Sequence, residues 1–369
     1  MKKLLCLILC LVMGCTMLVS CDEGKIGDYI HNYPENPQTT ERLTLNLYII
    51  TGDSTTENAK VSVATRISGH TKNAYNTILN VHYVKASEYE STVSAAITAG
   101  GADVPHIVLI NSKDMYDSLT KGEGGNKLVD LTDFFKTKAY GRLNTQISGA
   151  LLAASKEDGK FYTVPNNRVI GEYEYLVVSK TVRDCNIYTN EDIQNFAGVK
   201  DTAALVEEIR AEILKRPGFT ADMAAEMVYT VSGSYELRNE LFRDNFCIVS
   251  KVPVVAAEDA HLSGFAIVNS LLKYNERAMQ IIYAINTDLE LRNLLQYGVQ
   301  GANYNLVDGN VVRVIDDSNT YEMNIWHTGD VFKANYCSEY GWTSSALDYG
   351  MLHCKDAIDF RALEKAESN

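Results

Sequence analysis

Phe161-Tyr-Thr-Val-Pro-Asn-Asn-Arg-Val-Ile-Gly-Glu-Tyr-Glu-Tyr-Leu-Val-Val-Ser-Lys180 reads as two short strands separated by a polar turn. Pro165 and Asn166-Asn167 end the first run, Phe161 to Val164, because both residue types favour turns. The second run, Tyr173 to Val178, is aromatic and β-branched, the composition of a buried strand. The stretch lies near the middle of the chain, and the sequence on each side has the character of an α/β lobe of its own. It is therefore read as the ribbon by which the chain leaves one lobe and enters another.

Upstream, residues 22 to about 40 are polar, contain Pro34 and Pro37, lack apolar periodicity and read as a tether. Leu43 to Ile50 is a strand ending in Thr51-Gly52-Asp53-Ser54. A helix is expected from about Glu57, a strand over Leu79–Val84, and a helix over Tyr89–Ala99 closed by Gly100-Gly101. His106 to Ile110 is a continuous apolar run, as in a doubly covered parallel strand, and ends in Asn111-Ser112-Lys113-Asp114. Together these form a βαβαβ unit. Ligands of open α/β sheets sit at the carboxyl ends of the strands, so the two polar turns are candidate binding turns.

Downstream, Leu128–Phe135 is a short amphipathic element, and Asp201–Lys215 is helical, with Leu205, Ile209 and Ile213 on one face. Cys247–Val255 is a strand whose Pro253 suggests an edge. Phe265–Val268 is a further strand, and Tyr274–Ile285 carries a helical apolar face. Thr287 and Glu290 form a capping-box pattern for a helix ending at Gly298, and Asp308-Gly309 signals a hairpin. The tail, with Trp326 and Trp342, is mixed.

A chain of 369 residues is long enough for two lobes. Its net charge is −13, and loss of Lys2 and Lys3 with the first twenty residues would take it near −15. An acidic surface argues against nucleic acid and against a basic membrane-binding face. Tyrosines outnumber tryptophans 22 to two, and a phenol offers an apolar ring with a polar tip, suited to a wet cleft. The start, Met1-Lys2-Lys3 followed by apolar Leu4–Val19, is too short for a membrane span and has the pattern of an export signal. It closes on Leu18-Val19-Ser20-Cys21, a lipoprotein box in which Cys21 is lipidated and anchors the chain to the outer face of a membrane. Beyond the signal and anchor remain Cys185, Cys247, Cys337 and Cys354, with three possible disulfide pairings or free thiols left open. No Cys-x-x-Cys and no histidine at ligand spacing indicates a metal, and no cofactor is implied. The chain lacks Gly-x-Ser-x-Gly, His-Glu-x-x-His and a partnered Ser-x-x-Lys, and no stretch is organised as a glycosidase carboxylate pair. An enzyme is therefore not expected. His31 and His70 are read as surface residues.

These stretches resemble extracellular solute-binding proteins, family 1, of bacterial ABC importers, in the carbohydrate-type lipoprotein branch. The resemblance rests on the lipobox and tether, Ala102–Ile110, Leu128–Asp133, Phe161–Pro165 with Tyr175–Lys180, Phe265–Ser270 with Glu276–Met279, and Leu294–Tyr304. It covers most of 40–180 and 260–345, whereas 190–245 matches poorly and is short for such a second lobe. It implies an α/β, two-lobed periplasmic-binding-protein-like fold (class II) with hinge strands between the lobes. The implied division is a signal peptide over 1–20 and a tether over 21–40. Lobe 1 takes 41–172 and 262–305, and a short lobe 2 takes 173–261 and 306–369. It further implies a monomeric, membrane-anchored binding subunit that captures a carbohydrate by hinge closure and delivers it to permease subunits. The alternatives are a sensor or degenerate paralogue on the same fold, a binder of peptides or other solutes, or an extracellular hydrolase. Carried over by position, the ligand residues are Asp53 and Ser54 after the first strand and Asn111, Lys113 and Asp114 after the third. Asn167, Glu172 and Tyr173 follow at the crossing, and Trp326 is the stacking aromatic. At most one of Tyr173 and Tyr175 is expected to face the cleft.

Overall fold

The computed structural model describes residues 41–168, 172–199, 201–233, 240–269, 272–307, 311–315, 318–337 and 358–359. Cys21, Trp342, Cys354 and the Asp308-Gly309 turn lie outside them, as does the side chain of Glu172.

The first lobe grows from strand β1 (Leu43–Thr51), helix α1 (Glu57–Tyr75) and strand β2 (Thr77–Lys85). β1 and β2 pair in parallel along their whole length, from Leu43 against Thr77 to Thr51 against Lys85. α1 starts where the Thr56 side chain accepts from Ala59 N, and ends at Asn76 in the left-handed conformation (φ 46°). Ala59, Val63, Ile67 and Thr71 form its buried stripe at every fourth residue. Helix α2 (Tyr89–Ala99) leads into β3 (Ile107–Ile110), all four residues of which are buried, parallel to β1. The Tyr89 hydroxyl donates to Tyr48 O and accepts from Leu109 N, each at 2.8 Å, so one side chain joins β1 to β3.

Helix α3 (Lys113–Thr120) follows, then short helices α4 (Thr132–Lys136), α5 (Leu143–Gln146) and α6 (Gly149–Ala154). The run expected as one strand from Phe161 to Val164 is divided. Strands β4 (Lys156–Glu157) and β5 (Lys160–Phe161) form a hairpin, and β6 (Val164–Pro165) joins the main sheet. The hairpin turns on Asp158 (φ 49°) and Gly159 (φ 79°), a type I′ geometry that Asp-Gly favours.

Across the ribbon, β7 (Glu172–Ser179) opens the second lobe. Helices α7 (Lys180–Asp184), α8 (Asn190–Asn195), α9 (Thr202–Leu214) and α10 (Ala221–Met227) lead to β8 (Val228–Gly233) and β9 (Asn245–Val255). β7 lies between β8 and β9, antiparallel to both. Alternation along β7 separates two cores. Leu176 and Val178 pack with Leu205, Ile209, Ile213 and Met227 of the covering helices, while Tyr173, Tyr175 and Val177 join the core of the first lobe. Near its end β9 advances three residues, from Val254 to Lys251, while β7 advances two, and Pro253 falls in this bulge. β9 is not left as a bare edge there, because β14 (Ile358–Asp359) pairs with Val254 and Val255.

The chain returns through α11 (Ala257–His261) and β10 (Gly264–Ile267), which inserts antiparallel between β3 and β6. The first sheet is thus ordered β2-β1-β3-β10-β6. At Gly264 a Cβ would sit 3.1 Å from Pro165 Cα and from Val164 O, so the return strand needs glycine where it meets the ribbon. Helices α12 (Leu272–Thr287) and α13 (Leu289–Tyr297) complete the first lobe. The cap of α13 is Asp288, whose side chain accepts from Glu290 N and Leu291 N, rather than Thr287, whose hydroxyl bonds Tyr283 O. A small sheet of β11 (Tyr304–Val307), β12 (Val311–Val314) and β13 (Tyr336–Cys337) follows. His70 is not a free surface group. Its Nε2 lies 2.7 Å from Asp288 Oδ2, tying α1 to α13. Cys185 is an exposed thiol, and Cys247 and Cys337 are buried.

Candidate functional site

The carboxyl edge of the first sheet collects the polar turns. β1 delivers Thr51–Ser54, and β3 delivers Asn111. Ile110 pairs with Gly264 and Gly264 with Pro165, so one residue further in the same register Asn111, Ser263 and Asn166 stand in a row. Asn166 N donates to Ser263 O at 3.1 Å and Asn166 Nδ2 to Ser263 Oγ at 2.9 Å.

Residues 320–333 are laid across this edge. The sequence division groups them with lobe 2, but their hydrogen bonds run to lobe 1. Gly52 N donates to Glu322 O (3.0 Å), Thr56 N to Thr320 O (3.0 Å), and Glu322 N to Thr55 Oγ1 (2.9 Å). Ser54 Oγ donates to Glu322 Oε2. A Cβ on Gly52 would sit 2.7 Å from Glu322 Oε2, so the absence of a side chain there makes room for this carboxylate. From below, the fully buried Arg292 holds the segment by donating to Ile325 O, Thr328 Oγ1 and Asp330 O at 2.6–3.1 Å. Burial lowers its pKa to about 10, which leaves it charged at neutral pH. Burial also pushes the Asp330 carboxyl up to about 6, against the pull of a backbone bond from Phe332 and the charge of Arg292.

Between the β1 turn and this segment opens a cleft of about 410 Å³. Ile50, Met323 and Ile325 supply apolar wall, and Asp53, Glu322, Asn324 and His327 supply polar groups. An apolar surface with a few placed polar groups is the usual make-up of a small-molecule site. Burial, and then the charge of Arg168, lower His327 to about 4, so its imidazole is neutral at pH 7.

The expected ligand residues divide by location. Asp53 lines the cleft, and Ser54 acts by orienting Glu322. Asn111 Oδ1 is buried with no hydrogen-bond partner among the described residues, as is Asn166 Oδ1. Such acceptors cost roughly 1–3 kcal/mol each when unsatisfied, and a polar ligand or water at this edge would relieve that cost. Lys113 is engaged with Asp117 (2.5 Å), and Asp114 is exposed in the first turn of α3. Asn167 serves the scaffold. Its Oδ1 accepts from Ser148 N, and its Nδ2 donates to Gln146 O and Asp330 Oδ1. Tyr173 is 1 % exposed and stacked on Tyr175 on the same strand face, because residues two apart on a strand point the same way, and neither is among the residues lining this cleft. Trp326 is half-buried. Its carbonyl accepts from Asn166 Nδ2 and Ser263 Oγ, and its ring lies 5.8 Å from the Arg168 guanidinium carbon. Glu322, Asn324, His327 and Ser263 were not indicated by sequence. They lie in irregular chain or at a strand end, where no periodicity marks them.

A parallel three-strand edge, an antiparallel return strand, two crossings and a second sheet beyond them define the two-lobed fold of extracellular solute-binding proteins. Among solved structures, the N-glycan transport solute binding protein NgtS from Streptococcus pneumoniae aligns over 87 % of this chain and 84 % of its own, with TM-score 0.56 and 16 % identity. The same protein in complex with Man1GlcNAc aligns over 87 % and 85 %, with TM-score 0.53 and 16 % identity. Its complex with Man5GlcNAc gives TM-score 0.53, also at 16 % identity, over 87 % and 84 %. No protein-family model matches the chain, and no curated protein matches it in sequence. Among the described residues no three His, Cys, Asp or Glu side chains are grouped to hold a metal ion, and no helix is long and apolar enough to cross a membrane.

Proposed function

We infer that this chain is the carbohydrate-capturing subunit of an ABC importer, held on the outer face of a membrane by lipidated Cys21. The observation that carries the reading is the cleft at the carboxyl edge of the first sheet, in a fold shared over most of its length with a glycan-transport protein. The sugar's apolar ring face rests on Ile50, Met323 and Ile325, and its hydroxyls meet Asp53, Glu322, Asn324 and Asn111. The second lobe swings over the ligand, and permease subunits read the closed form. The chain acts as a monomer and performs no chemistry on its ligand.

A thermal-shift screen of the full-length chain in detergent tests binding. A sugar that binds only the folded form adds about 2.7 kcal/mol of stability at a hundred times its dissociation constant. A rise in melting temperature with one oligosaccharide class supports the reading. A well-folded chain that ignores every sugar but responds to peptides or polyamines would overturn it. The anchor has its own test. Cys21→Ser should move the protein from the membrane fraction to the soluble one and prevent the gain of acyl mass.

A further inference from the structure

The cleft beside β1 carries charge of one sign. Asp53 and Glu322 both line it, and among the described lining residues there is no lysine or arginine. The imidazole of His327 is neutral, so it offsets neither carboxylate. Arg168, the cation nearest to His327 in its electrostatic influence, has its guanidinium turned onto the carbonyls of Asn166, Asp259 and Ser263.

The Glu322 carboxylate is also a built feature. Its backbone is bonded at N and O to the β1 turn, and Ser54 fixes one carboxylate oxygen. Gly52 leaves the space its side chain occupies. The chain thus holds a negative group at the rim of an apolar-walled cavity that a second carboxylate, Asp53, also lines. Such a wall repels anions and is relieved by a cation. The walls of Ile50, Met323 and Ile325 suit the flat face of a ring rather than a fully hydrated ion.

We propose that this subsite takes the ammonium group of an amino sugar with a free amine, and selects against uronates and N-acetylated rings. The proposal rests on the carbohydrate reading of the cleft and names the sugar class. Acetylation removes the charge that the two carboxylates are placed to meet, and a uronate adds a third negative group.

Calorimetric titration of the full-length chain in detergent, at about pH 6 where the amine is protonated, tests it. The probes are a tetramer of unacetylated β-1,4-glucosamine, its fully N-acetylated form, cellotetraose, tetragalacturonate and spermidine. The amino tetramer should bind at least about tenfold tighter than either neutral tetramer, with the difference shrinking as salt is raised, and the uronate should not bind. Glu322→Gln and Asp53→Asn keep the side-chain shape. Each should weaken the amino tetramer by about five- to tenfold more than it weakens cellotetraose. Equal affinity for amino and neutral tetramers overturns the ammonium subsite while leaving the carbohydrate reading intact. The same holds if the two variants weaken every sugar alike. Spermidine binding with silence from all sugars overturns the carbohydrate reading and the amino-sugar assignment together.

Discussion

Gly52 separates site geometry from stability. Its backbone lies outside the left-handed region, and the atoms a Cβ would strike belong to the exposed side chain of Glu322. Gly52→Ala should therefore leave the melting temperature within a few degrees, since an exposed side chain can move aside at a cost of roughly 0.5 kcal/mol. It should nonetheless weaken ligand binding, because the displaced carboxylate is the one Ser54 orients. Thermal denaturation and titration of the same sample distinguish the two effects, and a large loss of stability without loss of affinity contradicts the assignment. Arg292→Met is the opposite case. It leaves Ile325 O, Asp330 O and Thr328 Oγ1 without their buried donor, and should cost about 3 kcal/mol in urea denaturation. At this scale the sequence was partly readable. Asp53 and Asn111 could be placed at the carboxyl edge of the first sheet because they follow strands whose apolar runs are unmistakable. The facing of Tyr173 was not readable because it depends on what covers each side of β7, and both sides are covered. Glu322 was invisible because nothing local marks it, and only its bonds to residues some 270 positions away place it.

The contact between α1 and α13 sets a pH dependence. The hydrogen bond that His70 donates to the Asp288 carboxylate raises the pKa of His70, and the charges of Asp288 and Glu290 add to that against the lowering effect of burial. A histidine raised in the folded state contributes its stability in full below its unfolded value, near 6.5. The contribution is lost as pH rises through the raised value. Wild type should thus carry a stability increment at pH 6 that is missing at pH 8.5. Asp288→Asn keeps an oxygen to cap α13 but removes the charge, and should erase most of that increment. Chemical denaturation at the two pH values checks this, and an unchanged pH difference in the variant removes the pair as its source. Elements with a clean period were legible, as the four-residue stripe of α1 and the apolar run of β3 show. The β4–β5 hairpin was missed although Lys156-Glu-Asp-Gly-Lys160 contains the Asp-Gly signal, because its strands are two residues each and leave no alternation to read. The segment 320–333 has little regular structure, so only tertiary hydrogen bonds reveal that it runs along the turn after β1.

For the molecule as a whole, two histidines, one fully buried and one half-buried, lower stability in acid. His261 is fully buried and stacked on Tyr116 with ring centroids 3.8 Å apart, and His327 sits beside the cleft. Burial first, then neighbouring cations (Lys113 for His261, Arg168 for His327), lower each to about 4. Between roughly pH 6.5 and 4 the unfolded chain binds protons that the folded chain refuses, so stability falls as pH drops through this window. His261→Phe retains a ring against Tyr116 and should lose less stability between pH 7 and pH 5 than wild type. A steeper loss in the variant contradicts the account. The two-lobed plan was legible because the ribbon at 161–180 interrupts one α/β pattern and precedes another. The sharing of one core by both lobes was not, since it depends on how α6 meets β9 and β14 of the second sheet.

One detail of the joint fixes where that plan can bend. The carbonyl oxygen of Trp326 accepts from Asn166 on the outgoing ribbon and from Ser263 on the incoming one, and Arg168 reaches Asp259 O and Ser263 O. Three passes of chain are soldered at one point, so torque cannot be absorbed there. The fulcrum of any closure lies on the lobe 2 side of Arg168 and Asp259. Asp53, Asn111 and Glu322 then travel as a single stiff jaw. Paired spin labels placed on that jaw should keep a constant separation when sugar is added, while a label on α9 swings toward both.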